Sequence, residues 1–163
     1  MPVPDDLRGD TRCHASLADL GLDWRILRPG VPMPTVASAA EAIGVAPGEI
    51  AKTVVFTDPD GGVVVAVASG PARIDPGLLA AAVGRARLRL ADQATVLAAT
   101  GYEAGGVAPV GHRGEHPIVV DRTLATMTTV YAGGGEHDLL LAVDVASLIA
   151  VTGAVVADIA VVG

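Results

Sequence analysis

One lysine stands in this 163-residue chain, against ten arginines. Lys52 falls near the start of Ile50-Ala51-Lys52-Thr53-Val54-Val55-Phe56, a stretch that reads as a short apolar strand. Lysine is a compact point charge whose pKa moves with its surroundings, whereas arginine is a permanently charged planar fork. A lone lysine in an arginine-biased chain therefore marks a position that wants an ammonium or an amine. The plainer alternative is a lysine retained by chance beside a strand.

A second chemically suggestive stretch is Gly101-Tyr102-Glu103-Ala104-Gly105-Gly106-Val107-Ala108-Pro109-Val110-Gly111. Four glycines and a proline in eleven residues exclude a regular element. Glycine lets backbone approach a ligand closely, and successive exposed N–H groups can hold an oxygen carrying partial negative charge. The alternative is a tight, buried connection between a helix and a strand. The stretch is not a P-loop, because no Gly-Lys-Ser/Thr follows, and it lacks the strand-to-helix context of a dinucleotide fingerprint. His112, His116 and His137 flank the glycine-rich stretches, either as general-base candidates or as solvated loop histidines. Cys13 and His14 are adjacent, which is poor metal-ligand spacing, and nothing completes a zinc site. No metal and no cofactor are expected.

The elements that must hold these residues follow from local pattern. A helix is expected over Asp10–Leu20, stopped by Gly21, and an edge strand at Trp24–Leu27. Thr35 is an N-cap candidate for a helix carrying Val36, Ala39, Ala40 and Ile43, ended by Gly44. Val54–Phe56 and Val63–Ala68 flank the turn pentad Asp58-Pro59-Asp60-Gly61-Gly62 and predict a hairpin of strands apolar on both faces, hence central. Asp75-Pro76 opens a helix through Val83. Arg87–Leu90 is a candidate strand, and Arg85, Arg87 and Arg89 would then share one face. Asp92 caps a helix reaching Thr100. Strands follow at Ile118–Asp121, Thr128–Ala132 and Leu139–Val143, with Leu124–Met127 as a connector. Asp144 caps a helix over Val145–Thr152, and one last strand spans Val155–Val162. Hairpins mixed with short helices predict an α+β domain with a mixed, strongly curved sheet rather than a doubly wound fold.

Composition narrows the function. The length favours a single domain, residues 1–163, with 1–24 peripheral. Aromatics make up 2% of the chain, which disfavours nucleic-acid binding through many stacked rings. The net charge of −7 disfavours a broad non-specific DNA or RNA surface, though not contact with a nucleic-acid end through a local basic patch. The single cysteine forbids an internal disulfide. The acidic N-terminus lacks an apolar signal region, and no apolar run is long enough to span a bilayer, so a cytoplasmic protein without membrane contact is expected.

The ordered series Pro32-Met33-Pro34-Thr35-Val36-Ala37, Ile50–Phe56, Thr100–Gly111 and Ile118-Val119-Val120-Asp121 resembles the YbaK / prolyl-tRNA synthetase-associated domain family of trans-editing aminoacyl-tRNA deacylases. Val130–Gly135 and Asp144–Leu148 look like its closing pattern, and the likeness covers roughly residues 25–160. The resemblance implies a barrel-like mixed sheet of six or seven strands with surrounding helices. It implies hydrolysis of a mischarged amino acid from a tRNA 3′ end, often tRNA(Pro), with a small residue such as Ala or Cys as cargo. Lys52 takes the place of the family's lysine and Thr53 of the threonine after it. Gly105, Gly106 and Pro109 take the places of its glycine-rich loop. Where better-known relatives carry a serine, this chain has Tyr131, and a later aspartate aligns with Asp138.

The chemistry expected is non-covalent, since an aminoacyl ester is already activated and no Ser-His-Asp or Cys-His pattern is present. Lys52 would anchor the aminoacyl group or the terminal phosphate, and amides of Gly105, Gly106 and Val107 would hold the carbonyl oxygen. Thr53, Val107, Pro109, Tyr131 and Asp138 complete the expected substrate-binding set. Arg85, Arg87, Arg89 and Arg113 are candidates for acceptor-stem phosphates. The expected partners are the aminoacyl-tRNA 3′ end and an aminoacyl-tRNA synthetase. The alternatives are a non-catalytic tRNA-end or aminoacyl-binding module, or a small-molecule hydrolase.

Overall fold

The computed structural model describes residues 12–162, with side chains from 16 to 161. The side chains of Cys13 and His14 and the acidic start of the chain lie outside the described residues. The first helix, α1, covers Arg12–Leu20, and the next strand, β1, is only Ile26–Leu27. Leu17 and Trp24 are 2% and 7% exposed and belong to the main core, so the described part of the chain before β1 packs against the domain.

Helix α2 (Val36–Ile43) starts as the sequence predicts. Thr35 Oγ1 accepts from Ser38 N–H at 3.0 Å, and Thr35 N–H donates to Ser38 Oγ at 2.9 Å, a reciprocal capping box. Gly44 ends it at φ +73°, in the left-handed region that favours glycine. A single 3₁₀ turn at Pro47–Glu49 then delivers the chain into β2 (Ile50–Thr57). β2 and β3 (Val63–Ser69) pair antiparallel from Ala51↔Ser69 to Thr57↔Val63. Their turn is held by Asp58, whose Oδ1 accepts from Asp60 and Gly62 N–H at 2.9 and 2.8 Å and whose Oδ2 accepts from Arg85. Val64 to Ala68 are fully buried, which makes β3 a central strand, covered on both faces. Each valine buried there contributes about 1.5–3 kcal/mol against exposure.

Asp75 and Asp92 cap α3 (Pro76–Ala82) and α4 (Gln93–Thr100), as their positions before helical runs require. Strand β4 (Ala72–Ile74) precedes α3, and β5 (Arg89–Leu90) precedes α4. The rest of the sheet comes from β6 (Ile118–Asp121), β7 (Thr129–Gly133), β8 (Leu140–Asp144) and β9 (Val155–Ala157). A short helix, α5 (Arg122–Ala125), follows β6, and α6 (Val145–Thr152) follows β8 with Asp144 as its cap. The large sheet is mixed, in the order β1-β8-β7-β2-β3-β6-β9, with β5 paired to the outer edge of β2. The resemblance implies six or seven strands; seven lie on this path, and β5 is an eighth.

Two expectations are corrected. The final strand, expected as one run over Val155–Val162, is two. β9 pairs parallel with β6, whereas β10 (Ala160–Val162) pairs antiparallel with β4 in a separate two-stranded sheet. The break is made by Asp121, whose Oδ1 accepts from Ile159 and Ala160 N–H at 3.0 and 3.2 Å, while Ile159 is fully buried. The Arg87–Leu90 strand shrinks to Arg89–Leu90, because only those residues meet β2.

Candidate active site

The outer edge of β2 is covered twice and left open between. β7 pairs with it in parallel at Ile50↔Tyr131 and Ala51↔Ala132, and β5 pairs antiparallel at Phe56↔Leu90 and Thr57↔Arg89. Alternation decides what faces the gap. Ile50 O accepts from Gly70 N–H on the β3 side, and Val55 O accepts from Ala91 N–H on the other, so odd-numbered residues of β2 turn their peptide groups outward. Thr53 sits midway along the uncovered stretch, and its backbone N–H and C=O therefore lack a ladder partner there.

A cavity of roughly 780 Å³ occupies this gap. Its walls include Lys52, Thr53, Val55, Leu90, Ala91, Gly105, Val107 and the segment Glu136–Leu140, with Met33–Val36 on the remaining side. Of the residues singled out in the sequence, Lys52, Thr53, Gly105, Val107, His137 and Asp138 line it. Gly106, Pro109 and Tyr131 do not. Gly106 and Pro109 are buried behind the rim, where a Cβ on Gly106 would lie 3.7 Å from the backbone of Gly135 and Glu136. Tyr131 packs with the cluster of Leu27, Ala39, Ala40, Ile50 and Leu140.

Lys52 is partly buried and shares a strand face with Ile50 and Val54. Its Nζ donates to the carbonyl of Ala72 in β4. Burial pushes its pKa below the ordinary lysine value. An ammonium has three donors, so a tether to one carbonyl leaves two for a ligand. Thr53 points to the opposite face, where Ala51, Val55 and Val107 belong to the main core. Its Oγ1 is buried and has no hydrogen-bond partner among the described residues.

The glycine loop offers fewer amides than its sequence suggests. Gly106 N–H donates to Glu103 O at 3.0 Å, closing a turn within the loop, which leaves the amides of Gly105 and Val107. Gly105 has φ +90°, a conformation that a side chain would strain. The loop is tied across the cavity mouth by His137 Nε2 and Glu103 Oε2, 3.4 Å apart and both exposed. On the same rim Arg28 lies 3.3 Å from Asp138 Oδ2 and 3.8 Å from Glu136 Oε2. The Nε–H of Arg28 is not aimed at the carboxylate and makes no hydrogen bond, so this is a charge contact rather than a fork.

The other expected contributors lie elsewhere. His112 and His116 line a second cavity beside α1, and their Nε2 atoms lie 2.8 and 2.9 Å from the carbonyls of Ala108 and Ala99. Arg113 is exposed on that same loop. Arg85 is committed to the Asp58 turn. Sequence reasoning gives no site role to Leu90, Ala91, Val96 or Glu136. The pairing that brings β5 and the β7–β8 turn to one edge is non-local and leaves no local trace. No group of three or more metal-ligating side chains occurs among the described residues, and no helix among them is long and apolar enough to cross a membrane.

Comparison with known proteins identifies the family. Residues 31–151 match the aminoacyl-tRNA editing domain family. The chain is 35% identical over 104 residues to "Uncharacterized protein YwhH" of Bacillus subtilis, covering 64% of this chain and 66% of that protein. It is 27% identical over 122 residues to the "Putative Cys-tRNA(Pro)/Cys-tRNA(Cys) deacylase EbsC" of Enterococcus faecalis, covering 75% and 74% of the two chains. Among solved structures, a "putative trans-editing enzyme for prolyl tRNA synthetase" superposes with a TM-score of 0.86 at 32% identity, over 98% of this chain and 99% of that one. The hypothetical protein APE2540 does so at 0.86 and 38%, over 93% and 100%. The chain belongs to the aminoacyl-tRNA editing domain family.

Proposed function

We propose that this domain hydrolyses the ester of a mischarged aminoacyl-tRNA in trans, with tRNA(Pro) carrying Ala or Cys as the substrate. The observation that carries the reading is that Lys52 and the glycine loop, 53 residues apart in sequence, line one cavity at a break in the sheet. The cysteine option draws on the name of the Enterococcus relative.

The chemistry follows from what the cavity lacks and holds. Among the described residues no serine or cysteine lines the cavity, and its threonines, Thr35 and Thr53, have no histidine bonded to them, which favours a water as the nucleophile. Water adds to the ester carbonyl carbon, and the carbonyl oxygen takes the negative charge of the tetrahedral intermediate. The bond to the ribose oxygen then breaks, that oxygen takes a proton, and the amino acid leaves as a free acid. The amides of Gly105 and Val107 are the donors suited to the developing oxyanion. The two free donors of Lys52 suit the terminal phosphate or the acyl group. The outward peptide of Thr53 suits the attacking water, with its buried, unpartnered hydroxyl in the wall behind. Val55, Val96 and Val107 line the cavity and are the side chains suited to favour a small amino acid over a larger one.

The test is a panel of tRNA(Pro) charged with Ala, Cys, Ser or Pro. Release of one of the first three with Pro-tRNA(Pro) spared is the expected result. Intact esters across the panel, with tRNA binding retained, would favour a binding module instead.

A further inference from the structure

Within the aminoacyl-tRNA reading, the wall of the cavity formed by β5 stands out. Leu90 lines the cavity and is nevertheless 66% exposed, the most exposed large hydrophobic side chain among the described residues. It extends past the core: Leu88, two residues earlier and just before β5, is 6% exposed and clusters with Phe56 and Leu79. Arg87 and Arg89 alternate with these leucines, are exposed, and take part in no ion pair among the described residues. Arg89 is near enough to the α4 cap Asp92 to help hold that carboxyl below its ordinary range, after the larger effect of the Thr95 hydrogen bonds.

Arg25 and Arg73 are also exposed and in no ion pair among the described residues, but neither adjoins a residue that lines the cavity, as Arg89 adjoins Leu90. Arg85 is held by Asp58, Arg28 by Asp138 and Glu136, and Arg122 by Asp158. Arg113 sits on the loop of the second cavity, whose lining includes its neighbours His112 and Gly114. The mouth of the site is therefore polarised. Glu103, Glu136 and Asp138 stand on the glycine-loop side, and the cationic pair with the exposed Leu90 next to it stands on the β5 side.

We propose that the Arg87–Leu90 segment is the docking shelf for the single-stranded 3′ end of the aminoacyl-tRNA. Arg87 and Arg89 meet backbone phosphates, and Leu90 supplies the apolar surface against which the terminal base lies. Three features select this occupant. The shelf is continuous with the cavity through Leu90 and Ala91. Its charge complements phosphates within a protein of net charge −7. And with one Trp, one Phe and two Tyr in the chain, an aliphatic side chain must serve where single-strand binders use aromatic rings.

The probe is a fluorescent RNA hairpin with a single-stranded CCA 3′ end, compared with the same hairpin made blunt, with binding followed by anisotropy from low to moderate salt. The wild-type protein is expected to prefer the CCA-ended hairpin. Arg87→Glu with Arg89→Glu should weaken that binding at least tenfold and flatten the slope of log K against log salt by about 1.4, at roughly 0.7 for each single-strand phosphate no longer neutralised. Leu90→Ser should lower affinity several-fold with the slope kept, and Arg122→Glu, on the far side of the sheet order at the β6 end, should leave both readouts as in wild type. Wild-type affinity and slope in the double variant, or no preference for the CCA end in the wild-type protein, would overturn the shelf. Hydrolysis of 3′-O-alanyl- and cysteinyl-adenosine by the wild-type protein tests the deacylase reading separately, because the binding measurement needs no catalysis.

Discussion

Thr53→Val separates stability from function at a single atom. The replacement keeps the β-branched shape of the side chain and removes a hydroxyl that is buried and unpaired at the cavity wall. A buried hydroxyl without a partner carries an uncompensated desolvation cost of about 1–3 kcal/mol. Valine also suits a strand slightly better than threonine when half buried. The variant should therefore be more stable than the wild type by about 1–3 kcal/mol. For a chain of this size, each kcal/mol raises Tm by roughly 2–4 °C, so the midpoint should rise by about 2–12 °C. Urea unfolding should show a higher midpoint with an unchanged m-value. Deacylation should fall in the same protein, since the hydroxyl is retained against its own cost where a water must be oriented. A variant less stable than the wild type would refute the reasoning, because it would mean that the hydroxyl already has a partner. A variant that is more stable and fully active would leave the stability argument standing and remove Thr53 Oγ1 from the chemistry.

Lys52→Ala should lower kcat/KM for the charged tRNA at least a hundredfold while keeping the wild-type circular dichroism, and near-full activity would remove Lys52 from the mechanism. Because burial lowers the Lys52 pKa in the folded state, the unfolded chain binds more protons in the window just below the ordinary value of 10.5. Wild-type stability should accordingly rise with pH there relative to Lys52→Met, and a flat difference between the two would contradict the burial assignment. Asp121→Ala removes the acceptor of Ile159, Ala160 and Thr123 N–H, and chemical denaturation should show a loss of about 3 kcal/mol or more. Gly134→Ala places a Cβ 2.7 Å from Leu139 Cβ inside the β7–β8 turn, so a loss of about 1–3 kcal/mol is expected by thermal melting.

The parts legible in the sequence are those governed by neighbours along the chain. Asp75, Asp92 and Asp144 stand before helical runs, and Gly44, Gly101 and Gly153 close helices in left-handed conformations. The Asp58–Gly62 pentad announces its hairpin because turn and flanking strands are contiguous. What stays hidden depends on distant pairing. The final apolar run reads as one strand, since nothing in Val155–Val162 records that the Asp121 carboxylate breaks it. Lys52 stands out by its rarity, but its tether is the backbone carbonyl of Ala72, which no side-chain pattern can announce. The glycine loop is visible as irregular backbone, yet the turn that occupies the Gly106 amide depends on its folded shape. The wall made by β5 reads as a run of alternating arginines, and its leucine gains meaning only from the opposing edge of β2.

The break in the β2 edge has a consequence in the time domain. Lys52 and Val54 lie in the even-numbered register that bonds to β3, so their amide hydrogens are locked in the middle of the domain. The Thr53 amide between them faces the gap. In heavy water it should trade its proton for deuterium far sooner than either neighbour, giving a fast site inside one of the slowest strands. An occupant whose polar atoms cap that peptide would slow it selectively. The exchange rate of this one backbone hydrogen thus becomes a native occupancy gauge, readable without label, turnover or mutation.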